Sequence, residues 1–396
     1  MKENQKEFYT LNREEQKARL KEIFLVFLKL GSIAFGGPAA HVAMMDEEIV
    51  KNRKWMEKEK FMDLYGATNL LSGPNSTELA IHIGLERGGW RGLILAGASF
   101  ILPAMLIVIF FATIYDRIGS LPEVEGIMYG IKPVIMAVIL QALYRLGKTS
   151  IKNIPAALIG GIVIILSFLG LHELILLAAS GIIMMLITNR EKLKPKHSSL
   201  SIFLPFLSIT PVATSIQLKN MELHQLFLSF LKIGSVLYGS GYVLLAFLEA
   251  DFVERFGVVT SQQLLDAISV GQVTPGPVFT TATFIGYLIQ GIPGAILATI
   301  GIFLPAFLLV GIVHPFIPKL RSSSWISGIL DGVNVASWGL MAVVSWKLGI
   351  SAFIDIPSFI LGIVAIFVVL RFKINTAWLV IIGGILGFVG TILGLI

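Results

Sequence analysis

The chain repeats itself. Phe27-Leu28-Lys29-Leu30-Gly31-Ser32 returns 203 residues later as Phe230-Leu231-Lys232-Ile233-Gly234-Ser235. At the same offset Glu48 meets Asp251, Asp63 meets Asp266, Gly73-Pro74 meets Gly276-Pro277 and Thr77 meets Thr280. One residue is then lost, and Gly84 meets Gly286, Leu102-Pro103-Ala104 meets Leu304-Pro305-Ala306, and Gly147 meets Gly349. Chance apolar similarity would exchange Leu for Ile, but it would not hold Lys, Asp and Pro in register. Any fold for this sequence must therefore build one unit twice.

Composition says what kind of unit. Apolar residues make up 55 % of the 396 and charged residues 14 %, against about 25 % charged in an average soluble domain. A mean hydropathy of +0.82 excludes a soluble enzyme, a nucleic-acid binder or a disordered chain and requires an integral membrane protein. The net charge of +6 then reads as a loop signal rather than a nucleic-acid footprint. With no cysteine, disulfides, thiolate metal sites and a Cys nucleophile are out. Six bases and five acids precede any apolar run in the first 22 residues, so a cleavable leader is not expected.

Several stretches reach the ~17–25 residues that cross a bilayer as helix: 91–115, 126–146, 153–169, 173–189, 292–315, 326–347, 354–371 and 376–396. Four others are interrupted. Segments 23–45 and 226–248 break at Gly36-Gly37-Pro38 and Gly239-Ser240-Gly241, and 61–85 and 264–287 break at Gly73-Pro74 and Thr274-Pro275-Gly276-Pro277. The expected organisation is a charged amphipathic arm over 1–22, a first membrane repeat over 23–190, a basic linker with an ambiguous apolar segment over 191–222, and a second repeat over 223–396. In all, an all-α membrane protein with roughly 10–13 membrane segments is predicted.

Loop charge predicts how the copies lie. In copy one, loops 46–60, 86–92 and 145–152 hold ten Lys/Arg, and loops 116–125 and 170–173 hold one. Their counterparts in copy two hold two and four respectively. The bias reverses, as inverted-topology repeats require. Inversion also demands an odd number of crossings between matching points, so the ambiguous segments must supply an odd number.

Breaks in membrane helices survive where they are buried in protein or line a wet cavity. Gly73 ends one half-helix and Pro74 suits the start of the next. The N–H groups of Asn75, Ser76 and Thr77 then sit at a positive dipole end, and copy two offers Thr280 and Thr281 after its own break. Two such N-termini meeting near the midplane form an anion-binding device. A packing kink, with Ser and Thr bonded back to the helix, is the alternative for one break; two matched breaks favour a site. Lys29 and Lys232 match inside apolar stretches, and either add positive potential to that site or snorkel to the headgroups. Glu78 and His82 lie four apart on one helical face, present in copy one alone, and are the candidates for proton coupling. Asp63 and Asp266 are read as fixing the first half-helix against its loop. His41 with Asp46, Glu47 and Glu48 is the only polar cluster open to a membrane-enzyme reading. No phosphate-cradling loop, H-E-x-x-H or dinucleotide fingerprint occurs, and no cofactor is expected.

The motifs Phe27-Leu-Lys-Leu-Gly through Phe35-Gly-Gly-Pro38, Leu71 to Gly84, Gly271 to Gly286 and Phe303-Leu-Pro-Ala306 resemble those of the chromate ion transporter family, over nearly the whole chain after residue 22. The resemblance implies a long-chain, two-domain member that exports chromate, with sulfate as analogue, across the cytoplasmic membrane of a prokaryote. It implies Gly36, Gly37, Pro38, Gly73, Pro74, Asn75, Ser76, Thr77 and Glu78, with Thr274, Pro275, Gly276 and Pro277, as motif positions. Two departures stand out: Ser72 where Pro275 would predict Pro, and Tyr238-Gly239-Ser240-Gly241 in place of Phe-Gly-Gly-Pro. The expected partners are a small inorganic anion and the lipid bilayer, no nucleic acid, and a second copy if the protein dimerises. A passive anion channel is the rival that could use the same helix ends.

Overall fold

The computed structural model describes residues 8–119, 121–192, 221–239, 241–317, 320, 323–372 and 376–394; the apolar stretch 202–218 lies outside them. Among the described residues all regular structure is helical. The first repeat runs α1 (Arg13–Ile33), α2 (Gly37–Met45) leading into a π-helical turn (Asp46–Asn52), α3 (Lys58–Thr68), α4 (Asn75–Ile118), α5 (Pro122–Ser150), α6 (Ile154–Phe168) and α7 (Glu173–Thr188). The second runs α8 (Leu223–Val236), α9 (Leu244–Leu248) leading into a π-helical turn (Glu249–Arg255), α10 (Ser261–Val273), α11 (Thr281–Val313), α12 (Ser324–Ala352), α13 (Ile356–Arg371) and α14 (Thr376–Ile392). The elements correspond one for one, π-helical turns included.

Matching residues make matching ends. Asn153 caps α6 by accepting from the Ala156 N–H at 2.9 Å, and Asp355 caps α13 by accepting from the Ser358 N–H at 2.8 Å. Each cap is followed by a proline in the first turn, where a missing N–H costs nothing. Among the described residues four helices are long and apolar enough to cross a ~30 Å hydrocarbon core: α4, α5, the helix through α11 and α12. Shorter apolar helices are α6, α7, α8, α13 and α14.

The long helices α4 and α11 are each folded back on themselves. Gly88 and Gly89 leave helical geometry (φ −135°, ψ 17°; φ 59°, ψ −153°), and so do Gln290 and Gly291 (φ −140°, ψ 23°; φ 61°, ψ −150°). Residues eight apart in a straight helix are separated by about 12 Å. Here a Cβ on Gly84 would stand 2.3 Å from the Gly92 carbonyl oxygen, and one on Gly286 2.4 Å from that of Gly294. Glycine at both positions is what lets the two limbs touch. Segment 75–87 is therefore a half-helix returning from the break to the same end as Lys60, whose ammonium meets Glu86 at 2.6 Å. The segment through α1 and α2 is a second hairpin, since Glu22 pairs with Arg53 and Lys29 with Glu48.

Contacts between the repeats are reciprocal. The Gly73 N–H donates to the Leu237 carbonyl and the Gly276 N–H to the Ala34 carbonyl, both at 2.9 Å. A Cβ on Gly276 would lie 2.6 Å from the Ala104 Cβ, and one on Gly73 3.4 Å from the Ala306 Cβ. Helix α5 packs on α13 and α14, while its counterpart α12 packs on α6 and α7. Glycines again permit the approach: a Cβ on Gly130 would stand 2.0 Å from the Gly383 oxygen, and one on Gly332 2.1 Å from the Ser180 oxygen. A residue-i-to-j contact mirrored by j′-to-i′ is the mark of a two-fold relation, and small residues at such crossings are how membrane helices gain van der Waals contact.

Candidate functional site

Four chain breaks converge where the repeats meet. The first follows α1, where Gly36 and Gly37 take φ of 102° and 78°. The second lies between α3 and the half-helix 75–87, with Gly73 at φ 144°. Gly239 (φ 94°) and Gly276 (φ 98°) mark their counterparts. The reciprocal bonds of Gly73 and Gly276 fasten the breaks in pairs, so unpaired backbone from each repeat is satisfied by the other.

Each anticipated side chain has a definite place. The half-helix starts at Asn75 after Pro74, with Thr77 and Glu78 N–H groups closing onto the Pro74 carbonyl at 2.8 and 3.0 Å. Asn75 donates its side-chain amide to Asn69 at 2.9 Å. Ser76 lies 3.1 Å from His41 Nδ1, whose Nε2 lies 3.0 Å from the Ala34 carbonyl. A carbonyl only accepts, so Nε2 carries the hydrogen and the neutral ring's Nδ1 accepts from the Ser76 hydroxyl. His41 thus ties the first break to the half-helix. Thr77 Oγ1 is buried without a hydrogen-bond partner. In copy two the hydroxyls of Thr274, Thr280 and Thr281 donate back to the carbonyls of Gly271, Pro277 and Val278, at 3.2, 2.9 and 2.8 Å.

Glu78 is the outlier of the site. It is 0 % exposed, and both its carboxylate oxygens lack a hydrogen-bond partner. Its Oε1 lies 2.7 Å from where a Gly73 Cβ would stand, so the carboxyl rests against the break itself. Tyr238, from the third break, lies beside Ser72 and within electrostatic reach of Glu78.

One turn on, His82 Nδ1 lies 2.9 Å from His314 Nδ1, and His314 Nε2 lies 3.0 Å from Glu86 Oε1. Glu86 and His82 share the Glu78 face of the half-helix by their spacing of four; Glu86 was readable from that periodicity but not singled out. His314 comes from the end of α11, 232 residues from its partner, and nothing local in the sequence announces the pairing.

Lys29 and Lys232 do not stand at the breaks' glycines. Lys29 pairs with Glu48 at 3.2 Å and Lys232 with Asp251 at 2.5 Å, matched partners on the π-helical turns. Asp46, Glu47 and Glu48 each meet a different base (Lys58, Lys51, and Lys29 with Arg53), so they do not converge with His41. Asp266 is bonded by the Tyr115 hydroxyl at 2.7 Å and by Lys132 at 3.0 Å. Lys132 is a buried cation in mid-α5, inside the apolar stretch 126–146, where no motif marks it. This trio lines a cavity of about 530 Å³ with Tyr129, Gln262 and Asp355.

The chromate transporter family model matches residues 21–185 and again 224–388. A probable chromate transport protein of Synechococcus elongatus is 32 % identical over 356 residues, 88 % of this chain and 89 % of that protein. A chromate transport protein of Cupriavidus metallidurans is 29 % identical, covering 89 % of this chain and 88 % of its own. An uncharacterized transporter of Methanocaldococcus jannaschii is 28 % identical, with 92 % and 93 % covered. No solved structure matches the chain. The apolar helices make this a multi-pass membrane protein. The doubled family match falls on the two helical repeats that meet at these breaks, and the chain belongs to the chromate transporter family.

Proposed function

We propose that the protein is a secondary transporter that exports chromate, with sulfate as its analogue, across the cytoplasmic membrane of a prokaryote. The observation that carries the reading is that the helix breaks of the two repeats are fastened in pairs, with a fully buried, unpartnered carboxyl resting against one of them. Two of the similar proteins are named for chromate transport. The anion is held between the opposed half-helix N-termini. Gly36, Gly37, Gly73, Pro74, Gly276 and Pro277 shape the backbone, and Asn75, Ser76, Thr77, Thr274, Pro275, Thr280 and Thr281 line it. Thr77 has its hydroxyl free to donate at once; the copy-two hydroxyls must first leave their carbonyls. Lys29 and Lys232 are neutralised by Glu48 and Asp251 away from the breaks and would add positive potential to the anion only if those ion pairs opened.

The repeats lie antiparallel across the bilayer. Supporting this, the far end of α11 (His314) meets Glu86 at the near end of the first repeat, and the far end of α4 (Tyr115) meets Asp266, the counterpart of Asp63. The end that carries Lys60 and Arg87 belongs to the base-rich loops and faces the cytoplasm.

Glu78 carries the coupling proton. An ionised Glu78 and a bound dianion repel, so anion occupancy and Glu78 protonation rise together. A dianion leaving with one proton takes a net negative charge outward, which an inside-negative potential favours by about 2.3 kcal/mol per 100 mV.

The test is flux in proteoliposomes, comparing chromate, sulfate and chloride with and without an imposed proton gradient. Uphill, gradient-dependent chromate movement is expected. Downhill movement alone would make the protein a channel, and indifference to chromate would refute the substrate.

A further inference from the structure

We propose that His82, His314, Glu86 and Lys60 form the proton path between Glu78 and the membrane face that carries Lys60. The inference rests on the reading of Glu78 as a proton carrier. From His82 outward its geometry is a continuous run of contacts, His82 Nδ1 to His314 Nδ1 at 2.9 Å, His314 Nε2 to Glu86 Oε1 at 3.0 Å, and Glu86 Oε2 to Lys60 Nζ at 2.6 Å; the step from Glu78 to His82 spans one helical turn with no direct hydrogen bond. The contacts from His82 to Lys60 are all within proton-transfer reach. His82, Glu86 and His314 are buried, and Lys60, 28 % exposed, is where the run meets water.

The hydrogen positions follow from the partners. Glu86, held by Lys60, is an acceptor, so His314 Nε2 carries a hydrogen. A neutral His314 then accepts at Nδ1, and the bond between the rings is filled from His82 Nδ1–H. That leaves His82 Nε2 as a bare lone pair, and this nitrogen is buried with no protein partner. It sits one helical turn from Glu78.

The transfer balances. A proton arriving on His82 Nε2 is matched by movement of the Nδ1 proton to His314 Nδ1 and of the His314 Nε2 proton to Glu86. One proton is taken up and one rests on Glu86, from which it reaches water as the Lys60 ammonium gives up a proton and takes this one; both rings end neutral with their tautomers exchanged. Run in reverse, the same transfers load Glu78 from Glu86. For a second proton to pass in the same direction each ring must first regain its starting tautomer by exchange with water, a step that moves no net proton and becomes open when the repeats part. Glu78, Glu86 and Lys60 are the charged or titratable groups around the pair. His314 alone comes from the second repeat, so the path exists only while the repeats hold this arrangement; a shift of the 2.9 Å contact past ~3.5 Å ends it.

The experiment uses the full-length protein in proteoliposomes with chromate as the probe. Chromate–chromate counterflow, which needs no net proton movement, is measured beside chromate-driven proton flux reported by an internal pH dye. His314→Gln and His82→Gln keep a hydrogen-bonding amide but cannot relay a proton. Each is expected to retain counterflow within about two-fold of wild type and to lose proton flux by ten-fold or more. Wild-type proton flux in either variant overturns the path, and so does loss of counterflow in both, which makes the pair structural. Glu86→Gln, at the next link, must uncouple in the same way. Absence of chromate counterflow in the wild type refutes the transport reading itself, and counterflow without proton movement in the wild type refutes Glu78 as carrier; neither pattern resembles failure of the relay alone.

Discussion

Replacing Gly73 by Ala tests whether the break and Glu78 form one unit. Gly73 has φ 144°, a region that costs a residue with a Cβ about 1–3 kcal/mol. The new Cβ would also stand 2.7 Å from Glu78 Oε1, closer than real Cβ contacts, so the carboxyl must give way. Because the crowded atom ends a flexible side chain, its shift adds about 0.5–1.5 kcal/mol, for an expected loss of about 1.5–4.5 kcal/mol. Gly170 provides the control, because it has φ 83° but nothing within 4 Å of its Cβ position. Gly170→Ala should show the backbone cost alone. The assay is thermal and denaturant unfolding of the purified protein, in a double-mutant cycle with Glu78→Ala. Once the carboxyl is gone, Gly73→Ala should cost less than it does in the wild type, giving a coupling of about 0.5–1.5 kcal/mol. A coupling below about 0.5 kcal/mol would mean that Glu78 does not rest on the break, and the account of the site would fall with it.

Other expectations are independent of that result. Gly31→Ala and Gly234→Ala put a Cβ 2.4 and 2.2 Å from the backbone oxygens of Phe100 and Ile302, and should each lose more than about 1 kcal/mol of stability. Gly161→Ala, with nothing within 4 Å, should gain up to about 1 kcal/mol from helix propensity; equal behaviour of the three in a melting assay would contradict the packing described. Lys132→Met leaves Asp266 buried without its cation and should cost about 3–5 kcal/mol, with Lys132→Met plus Asp266→Asn recovering most of it in the same measurement. Because the chain has no cysteine, single cysteines can be read directly with an impermeant thiol reagent. Cysteines at Lys54, Lys152 and Lys192 should label from one face of the membrane and one at His224 from the other, and labelling of all four from one face would exclude antiparallel repeats.

Much of the architecture is local and therefore legible. Hydropathy and the matched offset define two copies of one helical unit. Gly-Gly-Pro and Gly-Pro interrupt helices because a missing Cβ frees φ and proline withholds an N–H, whatever surrounds them. The four-residue spacing of Glu78 and His82 places them on one face through helix geometry alone. Hence the breaks, the single-copy carboxylate and the pairing of corresponding elements could be read without coordinates.

What the tertiary structure decided is which distant groups meet. Sequence reads 91–115 as a helix and 86–92 as a base-bearing loop, but only packing of Gly84 on Gly92 turns segment 75–87 back along its neighbour. A lysine in an apolar run must find a partner or the interface, yet the sequence does not say which. Lys29 and Lys232 find matching acids 19 residues on, while Lys132 finds Asp266 in the other repeat. His314 gains its meaning from His82 and Glu86, on an element more than two hundred residues away. Helix, break and face are set by neighbours a few residues apart along the chain. The buried relay and the fastening of the breaks are set by close approach of glycine-lined helices from two repeats, a free energy shared by residues that no local pattern links.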